Sequence, residues 1–130
     1  MKRLLIIICA IISVSAFNCQ TPSDKSVTQL SPTEFEVFLD DKIQLVDVRT
    51  SDEFNLEHID HAQNIDFFDE NFSNTIDKLD KDAPVFIYCR SGKRSGQSIV
   101  EFKKVGFTKI YELKGGILNW KSEGLEIIKE

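Results

Sequence analysis

The stretch that most restricts the fold is Val85-Phe86-Ile87-Tyr88, four apolar residues in a row between Pro84 and Cys89. A strand without polar alternation is buried on both faces, and a sheet buried on both faces is typically parallel and covered by helices. The polar, cationic segment Cys89-Arg90-Ser91-Gly92-Lys93-Arg94-Ser95 follows directly. Ser95 to Lys104 then reads as an amphipathic helix, with Ile99 and Phe102 inward and Gly106 at its C-terminus. Strand, tight turn and helix start, in that order, make backbone N–H groups converge, and such a site stabilises an anion without metal or organic cofactor. Cys89 therefore reads as a nucleophile at the base of an anion cradle.

The other elements alternate in the same way. Val27–Leu30 reads as an edge strand, and Ser31-Pro32-Thr33-Glu34 as a capping box opening a helix with Phe35, Phe38 and Leu39 on one face. Ile43–Val48 is the first clear strand. Thr50-Ser51-Asp52-Glu53 is a second capping box, starting a short helix that ends near Leu56. Asn64-Ile65 is a brief strand, 72–79 a helix with Phe72, Ile76 and Leu79 buried, and Ile110–Leu113 a strand. Gly115-Gly116 forms a turn before a helical turn over Ile117–Lys121 that carries Trp120, a core residue. Strands separated by helices need crossover connections. The expected architecture is α/β: a mostly parallel central sheet of about five strands with helices on both faces.

Composition narrows the partners. The formal charge is -5, and Lys2 and Arg3 are the only charges in residues 1–18, so the remainder is more acidic still. That balance argues against nucleic acid or an anionic membrane surface, and it makes Arg90, Lys93 and Arg94 conspicuous against the background. Cys9, Cys19 and Cys89 form no disulfide framework, and with only His58 and His61 there is no metal-ligand set.

Residues 1–18 read as a signal peptide: basic Lys2 and Arg3, the apolar run Leu4–Val14, and small residues at Ser15 and Ala16. Ser15-Ala16-Phe17-Asn18-Cys19 also resembles, loosely, a bacterial lipoprotein box, which makes Cys19 a candidate for lipidation; otherwise Cys19 is incidental. Residues 19–26 form a flexible linker. The expectation is an exported, periplasmic domain over 27–130, meeting a membrane only through a lipid on Cys19.

Four separated features resemble a single-domain rhodanese. They are Leu45-Val46-Asp47-Val48-Arg49 with Glu53-Phe54; His58-Ile59 with Ala62; the Cys89–Ser95 loop; and Gly115-Gly116-Ile117-Leu118-Asn119-Trp120. Asp60 and His61 stand where that family has proline and glycine, and Glu57 where it has glycine. The resemblance implies that Cys89 takes a sulfane sulfur from a donor such as thiosulfate, holds it as a persulfide, and yields it to cyanide, a thiol or a protein thiol.

The residues support that chemistry independently. A cysteine is reactive as the thiolate, which helix N-termini and nearby cations favour. Arg90, Lys93 and Arg94 are the cations, Gly92 gives the tight turn, and Ser91 and Ser95 donate to bound sulfur or cap the helix, the cap being the better reading for Ser95. Asp47 and Arg49 read as a structural ion pair and His58 as a turn residue. A cysteine phosphatase or arsenate reductase is the rival enzyme class, but it places five residues between cysteine and arginine, against four here. Its general acid would have to be Asp66 or Asp69, neither an obvious one. A stoichiometric persulfide carrier or binding module is the remaining alternative.

Overall fold

The computed structural model describes residues 24–130. The signal peptide, Cys9, Cys19 and most of the linker lie outside the described residues. Twelve elements follow in order: β1 (Val27–Leu30), α1 (Pro32–Glu36), β2 (Gln44–Asp47), α2 (Ser51–Leu56), β3 (Glu57–His58), β4 (Gln63–Asn64), α3 (Phe72–Ile76), β5 (Val85–Tyr88), α4 (Lys93–Lys104), β6 (Ile110–Leu113), α5 (Gly116–Ser122) and β7 (Ile128–Lys129).

Five strands form one sheet in the order β1-β6-β5-β2-β4, every pair parallel. The uniformly apolar β5 is the middle strand and is buried along its whole length, as its sequence requires. On one face Val46, Val85, Ile87 and Ile110 pack with Phe72 and Ile76 of α3 and Phe102 of α4. On the other, Leu45, Phe86 and Tyr88 pack with Phe35 of α1 and with Ile117 and Trp120 of α5. Period-two alternation along β2 and β5 splits their side chains between these two cores.

Both capping boxes close as their sequences predict. Ser31 and Glu34 bond reciprocally at α1, and Thr50 and Glu53 at α2. Three helix boundaries differ from expectation. α1 stops at Glu36, and Phe38 leaves the helix to stack on Tyr111 at 5.6 Å. α3 ends at Ile76, with turns carrying the chain to Leu79. α4 starts two residues early, at Lys93, because Gly92 takes the N-cap position with φ of 98°. A two-stranded antiparallel ribbon, β3 with β7, was not legible beforehand, since neither two-residue strand carries a pattern.

Candidate active site

β5 delivers Cys89 to the C-terminal edge of the sheet. Val85, Ile87 and Cys89 share one face, so the cysteine sinks into the α3/α4 core with 1% exposure. The chain then has three residues in which to turn into α4. Gly92 permits this with its positive φ, and its N–H lies 3.1 Å from Cys89 Sγ.

The carbonyls of the loop are held from the other side. Ile117 N–H donates to Cys89 O at 2.9 Å and Leu118 N–H to Arg90 O at 3.1 Å. The first turn of α5 thus supplies donors that the helix itself leaves unused, and the loop carbonyls take them. With these carbonyls turned to α5, the N–H groups of Arg90, Ser91, Lys93, Arg94 and Ser95 meet no protein acceptor among the described residues. The last three are first-turn amides of α4, where the helix carries partial positive charge. The loop thus offers backbone donors without protein acceptors beside a buried thiol, and the Gly92 donor lies on the sulfur.

Ser95 is not a helix cap. It is the third residue of α4, wholly buried, because the early helix start turns its side chain beneath the loop. Its Oγ lies 2.8 Å from Glu112 Oε1, 3.2 Å from Gly92 O and 3.4 Å from Cys89 Sγ. Glu112, on β6, was overlooked in the sequence. The available signal was a carboxylate two residues after Ile110, on the inward side of a strand.

Among the cations, Arg90 and Lys93 are exposed, as is Ser91. Arg94 departs from the expected substrate-facing position. Its guanidinium grips Glu53 through two bonds, Nη1 to Oε2 at 2.6 Å and Nη2 to Oε1 at 2.7 Å, and sits 5.9 Å from the Phe68 ring. Arg94, with Thr50, holds the Glu53 carboxyl down at about 2 against the opposing effect of burial. One glutamate therefore closes the α2 capping box and ties α2 to the active loop.

Asp47 and Arg49 form the structural pair expected of them. Arg49 Nη2 lies 2.6 Å from Asp47 Oδ2 and donates to Glu57 O at 2.6 Å, inside the protein. Burial works against the Arg49 charge, and Asp47 outweighs it, leaving that guanidinium held above its ordinary range. Burial, with Asp47 beside it, pushes the Tyr88 phenol well up, and Tyr88 Oη accepts the Ile59 N–H. His58 stacks on Phe54 at 4.0 Å with Nδ1 3.0 Å from Phe54 O. His61 adopts φ of 61°, the left-handed conformation that a glycine would take without strain, and Asp60 Oδ1 accepts its N–H. Asp66 and Asp69 accept N–H bonds from Phe68 and Asn71 in their own turns. A cleft of about 420 Å³ opens beside the loop, lined by Arg49, Leu56, Arg90, Leu118 and Lys129 among others.

The Glu53–Arg94 tie carries a prediction. A carboxyl held low in the folded state contributes stability that is complete above its unfolded range, near 4.5, and is lost as pH falls through about 2. Glu53→Gln is expected to lower urea-unfolding stability at neutral pH by about 1 kcal/mol, a modest value because the pair is partly exposed. The deficit should disappear near pH 2. A deficit that persists there undiminished would place the stabilisation elsewhere.

Comparison with known proteins places this site in a class. The model of the rhodanese-like domain matches residues 31–123. The probable adenylyltransferase/sulfurtransferase MoeZ of Mycobacterium tuberculosis is 35% identical over 96 residues, which is 72% of this chain and 24% of that protein. The thiosulfate sulfurtransferase GlpE of Shewanella oneidensis is 35% identical over 78 residues, 60% of this chain and 75% of that one. This chain thus spans about a quarter of MoeZ and most of GlpE. A rhodanese-like domain protein of Staphylococcus aureus superposes with TM-score 0.62 at 27% identity, over 79% of this chain and 99% of that chain. A rhodanese-related protein of Thermoplasma volcanium shares the fold at TM-score 0.69 and 22% identity, over 78% and 98%. The chain belongs to the rhodanese-like domain family.

Proposed function

We propose that this protein is a sulfurtransferase that moves a sulfane sulfur from a donor such as thiosulfate to cyanide or a thiol through a persulfide on Cys89. The observation that carries the reading is the buried Cys89 sulfur, 3.1 Å from the Gly92 amide, in a loop whose other N–H groups meet no protein acceptor among the described residues. The thiolate attacks the outer sulfur of thiosulfate. A new S–S bond forms as the bond to the sulfonate sulfur breaks, and sulfite leaves with that electron pair. The loop N–H groups bind the terminal persulfide anion, and Arg90 and Lys93 attract the dianionic donor. An acceptor then attacks the terminal sulfur and releases the Cys89 thiolate.

Two features speak for sulfur rather than phosphate. Only four residues separate Cys89 from Arg94, and the Arg94 guanidinium is already engaged by Glu53. A protein thiol is a suitable acceptor as well as a small one, since Leu56 and Leu118 are exposed, at 73% and 42%, beside the cleft. Exposure of purified protein to thiosulfate should add the mass of one sulfur, and cyanide should remove it. Hydrolysis of an aryl phosphate faster than sulfur transfer from thiosulfate would overturn the assignment.

The proposal extends to location. Residues 1–18 direct export, and Cys19 carries a lipid that holds the domain at the periplasmic membrane surface. Fractionation of cells expressing the full chain and Cys19→Ala tests both parts. Uncleaved protein in the cytosol would refute export, and unchanged membrane association of the variant would refute lipidation.

A further inference from the structure

Glu112 is a buried carboxylate that meets no cation among the described residues. It is 5% exposed, with Ser95 Oγ at 2.8 Å and Gln29 Nε2 at 3.4 Å, the latter long for a hydrogen bond. Asp47, the other buried acid among the described residues, has Arg49 against it. A buried carboxylate served by two neutral groups is an unusual occupant of a strand's inward face, which an apolar residue would complete more cheaply. Its position is specific. Glu112 lies opposite Ile87 in the β5–β6 register, and Ile87 is two residues from Cys89 on the same face.

We propose that Cys89 and Glu112 share one proton through the Ser95 hydroxyl, so that the carboxylate takes up the thiol proton when the nucleophile ionises. Ser95 has one O–H proton and three acceptors within reach, of which Glu112 Oε1 is nearest. With that proton on Glu112's side, the oxygen lone pairs face Sγ, and the thiol S–H donates to Oγ. Moving each proton one place along this line turns thiol and carboxylate into thiolate and carboxylic acid. The Ser95 O–H then points to sulfur, and Glu112 donates to Oγ. Charge is conserved, no heavy atom needs to move, and no oxidant or reductant takes part. The buried pair carries a single negative charge in both arrangements, where a thiolate beside an ionised Glu112 would carry two.

Of the charges around the pair, Arg94 is within electrostatic reach of Cys89. Gln29 from β1 and Gly96 from α4 are uncharged, Arg94 is held by Glu53, and Arg90 and Lys93 are exposed. Asp47 belongs to the opposite face of the sheet, in register with Tyr88.

The inference rests on Cys89 as the nucleophile, and its test needs no sulfur donor, so loss of one reading leaves the other standing. The full chain is alkylated with iodoacetamide across pH, and modification of the Cys89 peptide is followed by mass spectrometry. Two groups sharing protons lose them in two steps. The native protein should show reactivity rising to a partial plateau and then to its full value, and Glu112→Gln should show one step. Glutamine is isosteric and still accepts the Ser95 O–H. Should that variant not fold, infrared spectra of the native protein decide: a protonated-carboxyl C=O stretch should vanish together with the second alkylation step. A single step in the native protein, the same two steps in folded Glu112→Gln, or absence of that band overturns the proposal.

Discussion

Cys89→Ser is expected to abolish sulfur transfer while leaving the domain folded. The replacement is nearly isosteric, and the Gly92 N–H that points at sulfur finds an oxygen instead. The sulfur is buried, with 1% exposure, so the smaller atom and the new hydroxyl should cost about 1–2 kcal/mol of stability. Activity is a different matter. A serine hydroxyl does not ionise at neutral pH and forms no persulfide, so the covalent path closes. Thiocyanate production should fall at least about a thousandfold, to the uncatalysed level. Intact mass after thiosulfate should show the one-sulfur increment on the native protein and on Cys19→Ser, and none on Cys89→Ser. An increment that survives in Cys89→Ser would disprove the mechanism.

What could be read from the sequence was what periodicity and local chemistry control. The unbroken apolar run at Val85–Tyr88 defines a central parallel strand because only burial on both faces tolerates it. The capping boxes at Ser31 and Thr50 were visible because each needs residues only three positions apart. The cradle was legible for the same reason, as strand, glycine turn and helix start are contiguous. Contacts across the chain were not. Arg94 looked like an anion ligand until Glu53, 41 positions away, was brought against it. Ser95 looked like a cap because nothing local shows that the helix starts at Lys93 or that Glu112 lies beneath it. Each of these errors concerns a polar group whose partner comes from another element, and sequence spacing carries no record of that.

The second large effect is expected at a residue with no side chain. Gly116 opens α5 at φ of 64°, and a Cβ added there would stand 2.4 Å from Arg90 O and 2.5 Å from Cys89 O. Both neighbours are backbone, so no rotamer change relieves the overlap. Either α5 or the active loop has to move, and the bonds from Ile117 and Leu118 that hold the loop carbonyls are the first to lengthen. Gly116→Ala should therefore cost about 3 kcal/mol or more, combining left-handed strain with overpacking. For a domain of this size that lowers Tm by roughly 10 °C or more. Gly124→Ala provides the control. Gly124 has φ of 75° but nothing within 4 Å of the added Cβ, so only the conformational cost of about 1–2 kcal/mol remains. Sulfur transfer should separate the two variants further. At a temperature where both are folded, Gly124→Ala should keep native activity. Gly116→Ala should lose at least about tenfold, because displaced carbonyls misdirect the loop N–H groups by tenths of an ångström, and electrostatic stabilisation depends on that placement. Equal Tm and equal transfer rates for the two variants would show that the close approach of α5 does not set the geometry of the loop.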